Sequence, residues 1–271
     1  MEYGININFL EERCGMEKAA EFTSKAGFTM LDYTPPLRDD NWKEKMQEHF
    51  RIFDAWGLEI HQTHAPINRY RQYEKRLFDV CMERSFEAAE LMGAKFVAVH
   101  GDEYDIENRE FSAEAAMEYN HNIFRKYVER AEKCGYKLAF ETVFEDCIPY
   151  RRFTSDIAEL EAMIKSFNSP AAVCCWDFGH AHISFWGEAA NNIKRLGSLI
   201  QCTHLHDNAG NDSHQLPMSG IIDWKSTMNA FHEIGYSGVV NIEYAYSSMP
   251  EHLLKEFVKL SYESAKYLWN M

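Results

Sequence analysis

AAVCCWDFGHAH, residues 171–182, is the stretch on which the reading of this chain turns. Its first half, Ala171 to Trp176, is a short apolar run of the kind that forms a buried strand. The run breaks at Asp177-Phe178-Gly179-His180, which sets a carboxylate and an imidazole at the strand's carboxyl end. Working outward, the same event recurs. Upstream, Lys137 to Phe140 is followed by Glu141, Lys95 to Val99 runs into His100, and Leu58 to Thr63 into His64. Downstream, Leu199 to Leu205 carries His204 and continues to His206, and Val239 to Ile242 is followed by Glu243. Tyr3 to Phe9, which alternates apolar and polar residues, and Phe28 to Tyr33 supply two earlier strands.

Helical spacing fills the gaps between these runs. The segments are Glu17 to Gly27, Trp42 to Trp56, Tyr73 to Met92, Ala113 to Cys134, Ser155 to Phe167, Glu188 to Leu196, Trp224 to Ile234 and Glu251 to Leu268. Most close on a glycine, a common helix terminator. Strict alternation of strand and helix predicts a parallel sheet with crossover helices. Eight such units in 271 residues predict an α/β fold of the (β/α)8 TIM barrel type, with residues 1–271 as a single domain. A doubly wound open sheet is the runner-up, but neither a dinucleotide-binding glycine pattern nor a P-loop is present, so no nucleotide cofactor is expected.

Composition narrows the function classes. A formal net charge of −14 disfavours nucleic acid as a partner, because phosphate binding calls for a basic patch. No run approaches the roughly 18 apolar residues of a membrane span. The first residues, MEYGININFLEER, lack the basic segment and cleavage site of a signal peptide, and the seven cysteines form no C-x-x-C pair. A reducing, cytoplasmic setting is the expectation.

In an eight-fold barrel the catalytic groups sit at the carboxyl ends of the strands. Those positions, from the third strand on, hold His64, His100, Glu141, Asp177 with His180, His204 with His206, and Glu243, and the loop after the seventh strand adds Asp212 and His214. One strand-end histidine is more often structural than a ligand, and His49, His61, His121, His232 and His252 are read that way. Six successive strands ending in His, Asp or Glu are not explained so. Carboxylates gathered at one barrel mouth repel each other unless a cation lies among them, and mixed imidazole and carboxylate donors suit Zn, Mn, Co or Fe(II) over Ca or Mg.

In these motifs the chain resembles the xylose-isomerase-like (β/α)8 superfamily, which contains sugar phosphate isomerases and epimerases and also the endonuclease IV apurinic-site nucleases. The resemblance spans nearly the whole chain: HAP at His64, the strand-terminal His100, FET at Glu141, DFGH at Asp177, HLHDN at His204 and IEY at Glu243. HQLPMSGIIDW, from His214 to Trp224, is similar to the superfamily's H-x-x-P-G-x-G-x-I-D-W loop, with Met218 and Ser219 replacing the usual glycine and polar residue. The resemblance implies a metal site of Glu141, Asp177, His204 and Glu243, with His206 the competitor for the histidine place. It implies Glu141 and Glu243 as catalytic acid and base. His64, His100, His180, His206, Asp212 and His214 match positions that hold further metals in the nucleases or substrate hydroxyls in isomerases.

The function so implied is a divalent-metal-dependent isomerase or epimerase of a sugar, sugar phosphate, ketose or polyol derivative, working through a metal-stabilised enediolate with Zn, Mn or Co as the cofactor. Its partner would be a small carbohydrate, and a homo-oligomer stays open. His180 would orient a substrate hydroxyl, and Trp176, Phe178, Trp186 and Tyr244 would either wall the pocket or pack the core. One alternative is an endonuclease IV-like multinuclear zinc phosphodiesterase on abasic DNA, which would need Arg69, Arg71, Lys75, Arg109, Arg151 and Arg152 at the barrel mouth. Another is a non-catalytic sugar-binding barrel.

Overall fold

The computed structural model describes residues 1–67, 71–101, 112–144, 153–244 and 249–271, without the side chains of 71–75. Arg69, Arg109, Cys147, Arg151 and Arg152, and the side chains of Arg71 and Lys75, lie outside the described residues.

Eight strands follow one another in chain order: Tyr3–Asn6 (β1), Met30–Asp32 (β2), Glu59–His64 (β3), Phe96–Val99 (β4), Lys137–Glu141 (β5), Ala172–Asp177 (β6), Ile200–His204 (β7) and Val240–Ile242 (β8). Each pairs in parallel with the next from β1 to β7, and β1 also pairs in parallel with β8. The remaining gap closes just past β7, where Leu205 bridges Ile242. The Leu205 amide donates to the Asn241 carbonyl at 2.6 Å, and the Glu243 amide donates to the Leu205 carbonyl at 3.2 Å. An open doubly wound sheet would leave two free edges, whereas this sheet closes on itself. The fold is a single (β/α)8 TIM barrel.

Among the described residues the helices are Ile7–Cys14 (α1), Met16–Ala26 (α2), Trp42–Trp56 (α3), Arg71–Met92 (α4), Ala113–Cys134 (α5), Ile157–Ser166 (α6), Phe178–Ser184 (α7), Ala189–Leu196 (α8), Trp224–Glu233 (α9) and Glu251–Trp269 (α10). The bounds of α3 and α5 coincide with those read from the sequence, because Gly57 and Gly135 end them in the left-handed region at φ 64° and 83°. Two helices, α1 and α7, are additional. The first strand is shorter than Tyr3 to Phe9 because Asn6 caps α1: its side-chain oxygen accepts the Asn8 amide at 3.1 Å. The alternation of Ile5, Ile7 and Phe9 mimics a strand, but Ile7 and Leu10 are buried together at helical spacing. Likewise Asp177 caps α7, accepting the His180 amide at 2.6 Å. No described helix is long and apolar enough to cross a membrane.

Side chains alternate across each strand, so one set fills the barrel and the other meets the helices. Inside, small residues suffice: Ala139, Val173, Cys175 and Cys202 pack together with Phe96 at their edge. Outside, Trp176 packs against Phe185 and Phe231, and Phe178 stacks on Phe231 at 5.0 Å. Tyr244 meets Phe257 of α10. These three aromatic residues therefore belong to the core between barrel and helices, while Trp186 is 64% exposed. The C-terminal helix docks on the barrel through Leu254, Val258, Ala265 and Leu268.

Candidate functional site

The alternation that buries Cys175 inside the barrel also sends Asp177, two residues on, into its carboxyl-terminal mouth. Glu141 ends β5, His204 ends β7 and Glu243 follows β8. All four are buried, and Glu141, Asp177, His204 and Glu243 offer ligand atoms within 4.8 Å of one another. The centre of this group is one nitrogen. His204 Nδ1 lies 3.2 Å from Glu141 Oε2, 3.3 Å from Glu243 Oε2 and 3.9 Å from Asp177 Oδ2. Yet among the described residues neither ring nitrogen of His204 has a hydrogen-bond partner of acceptable geometry.

Glu141 is ringed by imidazoles. Its Oε2 lies 3.1 Å from His64 Nε2 and 3.3 Å from His100 Nε2, and its Oε1 lies 3.1 Å from His180 Nδ1. Burial works to raise the Glu141 pKa, but the facing charges of His204 and His100 outweigh it and hold the carboxyl well below its usual range. For His204, burial works against protonation, and Glu243 and Glu141 overcome it to push the imidazole well up. The cluster thus favours positive charge at its centre. His64, Glu141 and His204 form a second set with metal-ligand spacing.

A third set stands beside these: His180, His206, Asp212 and His214. Asp212 Oδ1 lies 3.1 Å from His214 Nε2 and 3.5 Å from His180 Nε2. His206 stacks on His214 with ring centroids 3.9 Å apart, and its Nε2 lies 3.0 Å from Asp177 Oδ2. Burial depresses the His214 pKa, but the hydrogen bond to Asp212 and the charge of Glu243 carry it up to about 9. Gly179 leaves room for this arrangement, since a Cβ there would sit 2.0 Å from His206 Cε1.

All ten residues singled out at the strand ends and in the following loop therefore converge at one mouth. The helix-borne histidines have partners elsewhere: His49 meets the Tyr33 hydroxyl at 2.8 Å, His121 bonds Ser166 and stacks on Phe167, and His232 packs on Trp269. Two participants escaped the sequence reading. Asp207 is buried and ties down the loop after β7: its Oδ1 accepts the Asn208 amide at 2.8 Å, and its Oδ2 accepts the Met218 amide and the Trp224 indole N–H at 2.9 Å each. Asp32 ends β2 and lies buried beneath His204, with Nε2 of that ring 3.6 Å from its Oδ2. Burial pushes its pKa up to about 6, against the pull of His204. Read from the sequence, the second strand runs on to Tyr33, which puts Asp32 inside the strand and not at its end.

Residues 20–263 match the family model described as the xylose isomerase-like TIM barrel. The chain belongs to this family. An uncharacterised protein of Methanocaldococcus jannaschii is 26% identical, the match covering 96% of this chain and 90% of that one. Two solved structures illustrate the range of the barrel's likenesses. A D-psicose 3-epimerase from Clostridium cellulolyticum H10, crystallised with D-tagatose, superposes with a TM-score of 0.74 at 14% identity, covering 99% of each chain. The IolI protein, crystallised with a zinc atom, superposes with a TM-score of 0.78 at 18% identity, covering 100% of this chain and 98% of that one.

Proposed function

We propose that this xylose isomerase-like barrel is a divalent-metal-dependent isomerase or epimerase of a small sugar or sugar derivative. The observation that carries the reading is the buried His204 imidazole, aimed at three carboxylates with no hydrogen bond from either nitrogen among the described residues. A buried polar atom left so is costly, by about 1–3 kcal/mol, and a ring nitrogen that offers its lone pair is satisfied by a metal ion. Three carboxylates and one imidazole are a donor set that fits Zn, Mn or Co. The residues present thus fit the metal, and Glu141, Asp177, His204 and Glu243 are the ones that would hold it. A zinc atom in IolI and a sugar in the psicose 3-epimerase, both on the same fold, support the same reading.

A bound divalent ion supplies Lewis acidity to adjacent substrate oxygens, favouring loss of the proton between them. The protein's own groups do the rest. Glu141 and Glu243 are the acid and base that remove that proton and return it to the same or the neighbouring carbon. His180, with Nδ1 on Glu141 and Nε2 toward Asp212, is oriented to hold a substrate hydroxyl. A reducing cytoplasmic setting goes with this reading.

One observation favours a second reading. The further sets His64–Glu141–His204 and His180–His206–Asp212–His214 have the spacing of additional metal sites, as a multinuclear phosphodiesterase of abasic DNA would need. The test is a panel of ketopentoses and ketohexoses in D2O with Mn, Co or Zn present. Epimerisation should install one solvent deuterium at the inverted carbon, and Glu141→Gln or Glu243→Gln should slow it by at least about 100-fold. No exchange into any sugar, together with cleavage of an abasic-site oligonucleotide, would replace the first reading with the second.

A further inference from the structure

Beneath the strand-end cluster the barrel holds a second polar layer, built around Asp32. Three side-chain amides converge on a single oxygen of this buried carboxylate: Gln62 Nε2 at 3.2 Å, Asn6 Nδ2 at 3.4 Å and Asn241 Nδ2 at 3.4 Å from Oδ2. They come from β1, β3 and β8, so four strands including β2 are committed to placing that oxygen. Burying a carboxylate is unfavourable by several kcal/mol unless it is well solvated by protein groups, and neutral amides do this only in part. A packing role alone would be better served by an apolar side chain, as in the layer of Ala139, Val173, Cys175 and Cys202.

The geometry points to what the carboxylate is for. Asp32 Oδ2 faces His204 Nε2 at 3.6 Å, while Nδ1 of the same ring faces Glu141, Glu243 and Asp177. We propose that Asp32 is a positioning residue that keeps the His204 ring proton on Nε2, so that Nδ1 presents its lone pair to the carboxylate cluster. This rests on reading that cluster as a metal site. At 3.6 Å the contact is longer than a hydrogen bond, and the coupling is the attraction of a fixed negative charge for the N–H across a buried gap. A metal-bound imidazole characteristically turns its other nitrogen to a carboxylate or carbonyl, which fixes tautomer and ring orientation. Asn6, Gln62 and Asn241 in turn hold Asp32, and none of the four touches a reacting atom.

Asp32→Asn keeps the shape and removes the charge. Zinc titration against a chromophoric chelator should show wild-type binding, with the variant weaker by about 10–100-fold. The absorption bands of the cobalt-loaded variant should shift as His204 reorients. Nitrogen-15 NMR of the zinc-loaded wild type, which needs no variant to fold, should find His204 metallated at Nδ1 and protonated at Nε2. Zinc on Nε2, or equal affinity with an unchanged cobalt spectrum in Asp32→Asn, overturns the role of Asp32 and leaves the metal site standing. A wild type that binds no zinc removes the metal reading itself, and this inference with it.

Discussion

His204 and His206 leave the same strand two residues apart and on the same side, yet they enter different clusters. At about 3.3 Å of rise per residue the second ring stands some 6–7 Å further along, between Asp177, which its Nε2 meets at 3.0 Å, and His214, on which it stacks. This separation makes a sharp prediction. His204→Ala should weaken metal binding at least about 100-fold, whereas His206→Ala, which removes the hydrogen-bond partner of Asp177 and no ligand of the four-residue site, should weaken it less, by about 10-fold, as read by metal titration. The His204 and His206 roles were open in the sequence, because residue spacing gives the face of a strand and not the depth along it. A different histidine, His61, adds a pH dependence of its own. His61 is buried against Phe96, and burial pushes its pKa down to about 4. The unfolded chain binds this proton near pH 6.5, so the stability His61 contributes is complete above that and is lost as pH falls toward about 4. Denaturation midpoints at pH 7 and pH 4.5 should therefore differ less in His61→Gln than in the wild type, by up to about 3 kcal/mol. Equal differences would remove this assignment.

At the scale of elements, the loop from β7 to α9 shows how the mouth is held in shape. Asp207 gathers four N–H groups, those of Asn208, Met218, Ile222 and the Trp224 indole, and so folds Asp212 and His214 back over the site. Met218 occupies the left-handed region at φ 71°, at the place where the superfamily's loop carries glycine. The turn forms without the glycine, at the expense of backbone strain of about 1–2 kcal/mol. Because Met218 is 47% exposed, little packing is lost on its replacement, and Met218→Gly should raise stability by up to about 1 kcal/mol in chemical denaturation. The helices and strands themselves were largely legible. Gly57 and Gly135 punctuate α3 and α5 plainly, whereas α1 and α7 were hidden because their caps, Asn6 and Asp177, also end strands. A capping bond is a contact of side chain to backbone, and hydrophobic period does not report it.

On the scale of the whole molecule, closure of the barrel between Leu205 and Ile242 is what brings residues from β3 to β8 to one mouth. Apolar runs and their abrupt polar ends sufficed to predict that convergence. The polar layer of Asn6, Asp32, Gln62 and Asn241 did not announce itself, because such side chains on a strand read as solvent-facing until the sheet is closed around them. On the proposed reading an ion would neutralise the clustered carboxylates only in the native state, so metal removal should destabilise the whole fold. At 100-fold excess over its dissociation constant the ion would contribute about 2.7 kcal/mol, so chelation should lower the melting temperature by roughly 5–10 °C. An unchanged melting curve would mean that nothing binds there.

The measurement that bears most directly on the central claim is metal content by elemental analysis of protein purified without chelator, for the wild type and Glu243→Gln side by side. A mononuclear isomerase site predicts about one Zn, Mn or Co per chain in the wild type and a clear loss in the variant. Two or three zinc ions per chain would transfer the claim to the multinuclear phosphodiesterase. No bound metal, even after reconstitution with Zn, Mn and Co, would contradict the account at its centre.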